Sequence, residues 1–125
     1  MRAVATVILA LASPCLASCD LLPTGCAGVG APNVAVTVVD SLTSAPAASG
    51  ATLLTYDLDQ GGARVDSVTG HSDTEVLWGS IDRRGRFSVF VRKVGYRDWS
   101  VPEVVVADGC PAIKTANLTA RLARP

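Results

Sequence analysis

A two-residue alternation of apolar and polar side chains, broken at short intervals by Gly, Pro, Asn and Asp, constrains this chain more than any other feature. Neighbouring side chains of an extended chain point to opposite faces, so a segment with this period buries one face as a strand. Val34, Val36 and Val38 share a face of 34–40. In 51–58, Leu54, Tyr56 and Leu58 share one face, and Leu53 and Thr55 the other. Residues 64–68 are short and polar, as an edge strand is; Val76 and Trp78 share a face of 75–81. Phe87, Val89 and Val91 point inward from 86–91, with Ser88 outward. Val104 and Val106 share a face of 102–107, and Leu118, Ala120 and Leu122 one of 113–122. Beyond residue 18 no window has a convincing helical period. About seven short strands at this spacing predict an all-β fold, an Ig-like or prealbumin-like β-sandwich.

The connections carry turn chemistry. Residues 41–50 are rich in Ser, Thr, Ala and Pro, and Asp59-Gln60-Gly61-Gly62 is a tight turn whose glycines supply positive φ. Asp82-Arg83-Arg84-Gly85 predicts a hairpin turn between its flanking strands. Lys93-Val94-Gly95-Tyr96 turns the chain again, and Tyr96 and Trp99 pack over the sandwich edge.

The first 18 residues follow different rules. Met1-Arg2 is a positive start, and residues 3–11 are an uncharged run too short to span a bilayer, for which about 20 apolar residues are needed. This pattern predicts a helical signal peptide over 1–18. It ends in Leu16-Ala17-Ser18-Cys19, an aliphatic residue, two small ones and a cysteine. That resembles the lipobox of bacterial lipoproteins. The resemblance implies a diacylglyceryl group on the Cys19 thiol, cleavage before Cys19 and acylation of the new N-terminus. Two or three acyl chains hold a protein on a membrane, at about 0.8 kcal/mol per buried CH₂. The competing reading is an ordinary signal peptide with Cys19 free for a disulfide. Cys15, behind Pro14, leaves with the leader. Asp20, next to the anchor, is similar to the inner-membrane retention signal of enterobacterial lipoproteins. Residues 19–32 form a lipidated N-terminus and tether, and 33–125 the folded module.

Removing residues 1–18 leaves 107 of the 125, enough for one domain. The 11 basic and 11 acidic residues balance, and the leader takes only Arg2 with it, which leaves a net −1. Nucleic-acid binders carry a basic excess, so this balance argues against nucleic acid as a partner. With Cys15 lost and Cys19 lipidated, Cys26 and Cys110 remain. An even pair in an exported chain predicts a disulfide. Closing a loop of about 85 residues, it stabilises by ~4 kcal/mol on the chain-entropy argument. The alternatives are two buried free thiols or a metal site. Two cysteines and one distant His make a poor zinc set, and no metal or other cofactor is expected.

Several pieces in order resemble the carboxypeptidase regulatory-like domain, a prealbumin (transthyretin)-like sandwich. They are Val36-Thr37-Val38-Val39-Asp40, Ala45-Pro46, Gly50-Ala51-Thr52-Leu53, Gly85 to Val91, Gly95-Tyr96 and Thr115 to Leu122, about 90 residues in all. The usual Cys-His-Val before the last strand is here Cys110-Pro111-Ala112, so no role for that His carries over. Thr43-Ser44 replaces the usual Thr-Gly turn. The family is not catalytic, so the resemblance implies a scaffold or binding module and names no ligand.

Few residues suggest chemistry. His71-Ser72-Asp73 has the residue types of a hydrolase triad, but triad members converge from separate segments, and a solvated loop is the simpler reading. Asp57 and Asp59 beside Gly61-Gly62 are either part of an oxygen-rich calcium site or a turn cap; the remaining ligands are missing. Arg83, Arg84 and Arg86 form a candidate site for an anion, a lipid headgroup or a glycan phosphate, against a solvated charged turn. Tyr96 and Trp99, with Trp78, are candidates for an aromatic platform, against edge packing. The expectation is a non-enzymatic binding or structural module, lipid-anchored in the bacterial cell envelope and facing the periplasm or cell exterior, with an envelope protein or glycan as partner. The alternative is an accessory subunit or small hydrolase acting on envelope peptide or glycan.

Overall fold

The structure is a computed structural model that describes residues 30–109 and 112–125. Seven strands follow one another: β1 (Val34–Asp40), β2 (Thr52–Asp57), β3 (Ala63–Thr69), β4 (Val76–Trp78), β5 (Gly85–Arg92), β6 (Trp99–Val106) and β7 (Ala116–Leu122). They form two sheets, of order β4-β1-β7 and β3-β2-β5-β6, and the all-β sandwich expected from the alternation is the fold. Every pairing between named strands is antiparallel except β1 with β7, which run parallel from Val34↔Ala116 to Asp40↔Leu122.

The alternation determines what fills the space between the sheets. Val34, Val36 and Val38 meet Leu77, Ala120 and Leu122 from one sheet, and Leu53, Phe87, Val89, Val91, Val104 and Val106 from the other. Phe87 is the largest fully buried side chain. In β2 the inward face is the one that carries Leu53, Thr55 and Asp57. The other face turns outward, and there Tyr56 packs edge-on against Phe90 at 5.5 Å.

The polar groups drawn inside are tied down. Thr55 donates its hydroxyl to Asp66 across the β2–β3 pair, and Ser80 donates both Oγ (2.5 Å) and backbone N–H (3.1 Å) to the same carboxylate. Asn33 is fully buried and accepts from Val34 N–H at 2.7 Å, while its Nδ2 has no partner among the described residues.

Three local expectations are corrected. The Asp82–Gly85 segment is not a hairpin turn: β4 and β5 belong to different sheets, and the segment carries the chain across the sandwich. Leu58 leaves the strand for a 3-10 turn, Leu58–Gln60, capped by the Asp57 side chain and closed by Gly61 at φ 71. β4 has only three residues; Leu77 points inward, and the face shared by Val76 and Trp78 is exposed.

The two ends of the sandwich are distinct. At the amino pole the incoming chain runs beside the crossover: Asn33 N–H donates to Ser80 O (2.7 Å) and Asp82 N–H to Ala31 O (2.7 Å). The carboxyl pole holds the ends of β1 and β7, the β1–β2 connection and the β5–β6 turn. Its centre is Tyr96, whose hydroxyl donates to Asp40 at 3.0 Å. The eight residues of β5 separate the poles by roughly 23 Å.

Candidate functional site

Cys19, Cys26 and Cys110, the residues of the lipidation and disulfide readings, lie outside the described residues, as do the leader and most of the tether. The candidate surface residues are described, and they do not form one surface. Arg83, Arg84 and Arg86 sit at the amino pole, where the crossover enters β5. Tyr96 and Trp99 follow the far end of that strand, at the carboxyl pole.

At the amino pole each arginine meets a carboxylate. Arg83 lies 3.3 Å from Asp57 and Arg84 2.8 Å from Asp108. Arg86 reaches Asp59 at 3.0 Å and Glu103 at 2.9 Å. The Arg86 guanidinium and backbone N–H hold the Asp59 carboxyl below its usual range, and Asp59 with Glu103 raises Arg86 in turn. These four carboxylates outnumber the three guanidinium groups they meet, and exposed pairs of this kind add little stability. Asp57 caps a turn: its Oδ1 accepts from Asp59 N–H at 2.9 Å. Among the described residues no group of three or more His, Cys, Asp or Glu side chains could hold a metal ion.

The loop 71–75 is organised by backbone capping. Glu75 accepts from His71 N–H (2.6 Å) and Ser72 N–H (3.1 Å), which lowers its pKa. Asp73 accepts from Ser49 N–H at 3.1 Å, and Ser72 Oγ lies 3.3 Å from Thr74 Oγ1. Among the described residues no hydrogen bond joins the His71 imidazole to a hydroxyl or a carboxylate. The three residue types of a triad are adjacent here, and the Ser72 and Asp73 side chains serve the loop and its neighbour Ser49.

The aromatic candidates also separate. Trp99 is half-buried against the core, and Tyr96 packs on it from the β5–β6 turn. Trp78 stands on the outer face of the other sheet, opposite Ala35 and 54% exposed. They make no common platform.

The carboxyl pole holds the best-organised polar cluster. Asp40, buried at the end of β1, accepts from Leu42 N–H (2.8 Å), Thr43 N–H (3.1 Å), the Tyr96 hydroxyl and Arg124 (3.4 Å). The two backbone N–H groups, then the tyrosine, bring its pKa down from 3.8 to about 2. Arg124 stands 5.1 Å and the Lys93 ammonium 5.6 Å from the Tyr96 ring centroid, a cation–π distance for both. Beside them Arg97 donates its backbone N–H to Ala123 O (2.8 Å), and Arg121 lies 3.3 Å from the Ser44 hydroxyl. An open groove of about 340 Å³ adjoins this cluster, lined by Gly50, Thr52, Arg92, Lys93, Val94 and Asp98. Sequence reasoning singled out Tyr96 but missed Lys93, Arg97, Arg121 and Arg124. They come from two distant segments, and only the spacing of Arg121 and Arg124 near the C-terminus hinted at a group.

These observations define a class: a seven-stranded, two-sheet β-sandwich module with its charged side chains gathered at two poles. No family model, curated protein or solved structure matches the chain.

Proposed function

We propose that this protein is an exported lipoprotein of the bacterial cell envelope, held on a membrane by lipid on Cys19. Its non-enzymatic β-sandwich, of the carboxypeptidase regulatory-like kind, serves as a binding or structural module. The observation that carries the reading is Leu16-Ala17-Ser18-Cys19 at the end of a positively charged, then apolar, N-terminal stretch. The sandwich supports it in two ways. The folded strands begin at Val34, after the tether, so the anchor and the module occupy separate parts of the chain. The polar side chains of the 71–75 loop are engaged in capping rather than gathered around a pocket, which favours binding or scaffolding over hydrolysis.

In this reading the amino pole faces the bilayer. With Cys26 held to the module, the chain from Cys19 to Cys26 reaches about 25 Å at full extension, which sets how far the sandwich stands off. Cys26 and Cys110 form the disulfide that ties the tether to the connection before β7.

The test is intact mass and membrane fractionation of the wild type beside Cys19→Ala. The wild type fractionates with membranes and carries acyl mass on Cys19, and the variant is soluble and unacylated. A soluble, unacylated wild type overturns the anchor. Thiol labelling of the same material before and after reduction reads the Cys26–Cys110 pair.

A further inference from the structure

The poles differ in how their charge is compensated. At the amino pole Arg83, Arg84 and Arg86 are matched by Asp57, Asp59, Glu103 and Asp108. At the carboxyl pole Arg124 reaches Asp40 at 3.4 Å, Lys93 donates to Ala47 O, Arg121 lies beside Ser44, and the Arg97 backbone pairs with Ala123. The Asp40 oxygens already accept from two backbone N–H groups and the Tyr96 hydroxyl. Among the described residues, Lys93, Arg97 and Arg121 have no carboxylate within ion-pair distance. The other acids nearby are committed elsewhere. Asp98 pairs with Arg92 at 3.2 Å, and Asp73 and Glu75 cap backbone N–H groups of Ser49, His71 and Ser72.

Three of these cations, Lys93, Arg121 and Arg124, are also held in place. Lys93 donates to Ala47 O at 2.9 Å and lies near the Tyr96 ring. Arg124 lies near the same ring and donates to the Tyr96 hydroxyl at 3.1 Å. Arg121 is fixed beside Ser44, a non-glycine residue at φ 61. Cations fixed before a ligand arrives lose less conformational freedom on binding it. Guanidinium groups present paired donors that match phosphate oxygens. The adjoining groove, lined by the Arg92–Asp98 pair and by Lys93, leaves space beside Tyr96.

We propose that the carboxyl pole, through Lys93, Arg97, Arg121 and Arg124, binds a phosphate-bearing polymer. The proposal rests on the reading of this protein as a binding module and supplies its ligand class. It places the ligand on the pole farthest from the anchored terminus, so one molecule can engage a membrane and a polyanion at opposite ends.

The test is titration of the purified full-length chain with inorganic polyphosphate at low salt. Binding is expected, with log affinity falling linearly in log salt, as when a polyanion releases counterions. Arg97→Gln/Arg121→Gln lowers the affinity about tenfold or more. Neither residue belongs to the Asp40 cap, and unchanged thermal melting shows the fold intact. Arg83→Gln/Arg84→Gln, at the amino pole, leaves the affinity within about twofold, since those cations are already paired. Absence of polyphosphate binding overturns the proposal, as does equal loss in both variants. Equal affinity for polyglutamate overturns the phosphate assignment in favour of an acidic protein. Binding to phosphatidylglycerol vesicles but not to polyphosphate makes the ligand a lipid surface and overturns the polymer. The titration does not depend on acylation, and fractionation of Cys19→Ala does not depend on polyphosphate, so either reading can fall without the other.

Discussion

Replacing Gly70 by alanine puts a methyl group where there is no room for one. Gly70 ends the β3 edge strand and pairs by an isolated bridge with Ser49, so the backbones of 48–51 and 70 lie against each other. A Cβ at Gly70 would stand 2.2 Å from the Ala48 carbonyl oxygen, 3.0 Å from its carbon and 3.2 Å from Leu77 Cδ2. The closest of these atoms is backbone, so relief requires moving the 48–51 turn by more than 1 Å. That turn is held by two hydrogen bonds to the same residue, Gly70 N–H to Ala51 O (2.9 Å) and Gly50 N–H to Gly70 O (3.0 Å). Overpacking of this kind costs about 1–3 kcal/mol, and two weakened hydrogen bonds add about 1 kcal/mol each. The expected loss is therefore about 3–5 kcal/mol. For a module of this size each kcal/mol lowers the Tm by about 5 °C, so the fall is about 15–25 °C. Thermal and urea unfolding followed by circular dichroism measure both quantities. Gly95→Ala is the internal control. Its φ of 89 strains alanine, but no atom lies within 4 Å of the new Cβ, so only about 1–2 kcal/mol is lost. A Gly70→Ala protein as stable as Gly95→Ala, or more so, would refute the reasoning that backbone contact, not conformation, fixes residue 70.

Two further outcomes follow from the core and the carboxyl pole. Phe87→Ala removes the largest fully buried side chain and lowers the urea-unfolding free energy by about 3–5 kcal/mol, enough to leave a marginal fold. Asp40 titrates from 3.8 unfolded to about 2 folded, so its contribution to stability is full above pH 3.8 and is lost as the pH falls through 2. Melting curves from pH 5 to 2 should fall more steeply for wild type than for Asp40→Asn; equal slopes would show that the carboxylate is not held as described.

Where one face is buried and the partner face is solvated, the sequence is easy to read. β1, β5 and β7 follow their alternation closely, because Val34, Val36, Val38, Phe87, Val89, Val91, Leu118, Ala120 and Leu122 fall on every second position and Thr37, Ser88, Thr119 and Arg121 lie among the residues between them. β6 begins at Trp99 rather than at Pro102, since an edge strand tolerates a proline whose missing N–H faces no partner. The register slips there, with Pro102 and Glu103 set against Ser88. The crossover at 80–84 was illegible because a charged turn with a glycine looks the same whether it closes a hairpin or switches sheets. What decides it is the contact of Ser80 with Asp66 and of Asp82 with Ala31, across 14 and 51 residues. The same distance hid the charge pattern. Arg83, Arg84 and Arg86 look like a cationic cluster only until β2 and β6 bring their four carboxylates beside them. The carboxyl-pole cations looked scattered until β1 and β7 ran parallel.

That parallel pairing also makes completion of the smaller sheet depend on the far end of the chain. β1 and β7 are about 80 residues apart, and β7 supplies one of only three strands in its sheet. Closing so long a loop is slow, and its entropy is spent before any of the seven residue pairs can form. A chain emerging N-terminus first therefore has Val34, Val36 and Val38 without their final neighbours until Leu122 is out. The four-stranded sheet, whose pairings span about 40 residues or fewer, closes shorter loops. The core between the sheets is complete only once the last strand is in place.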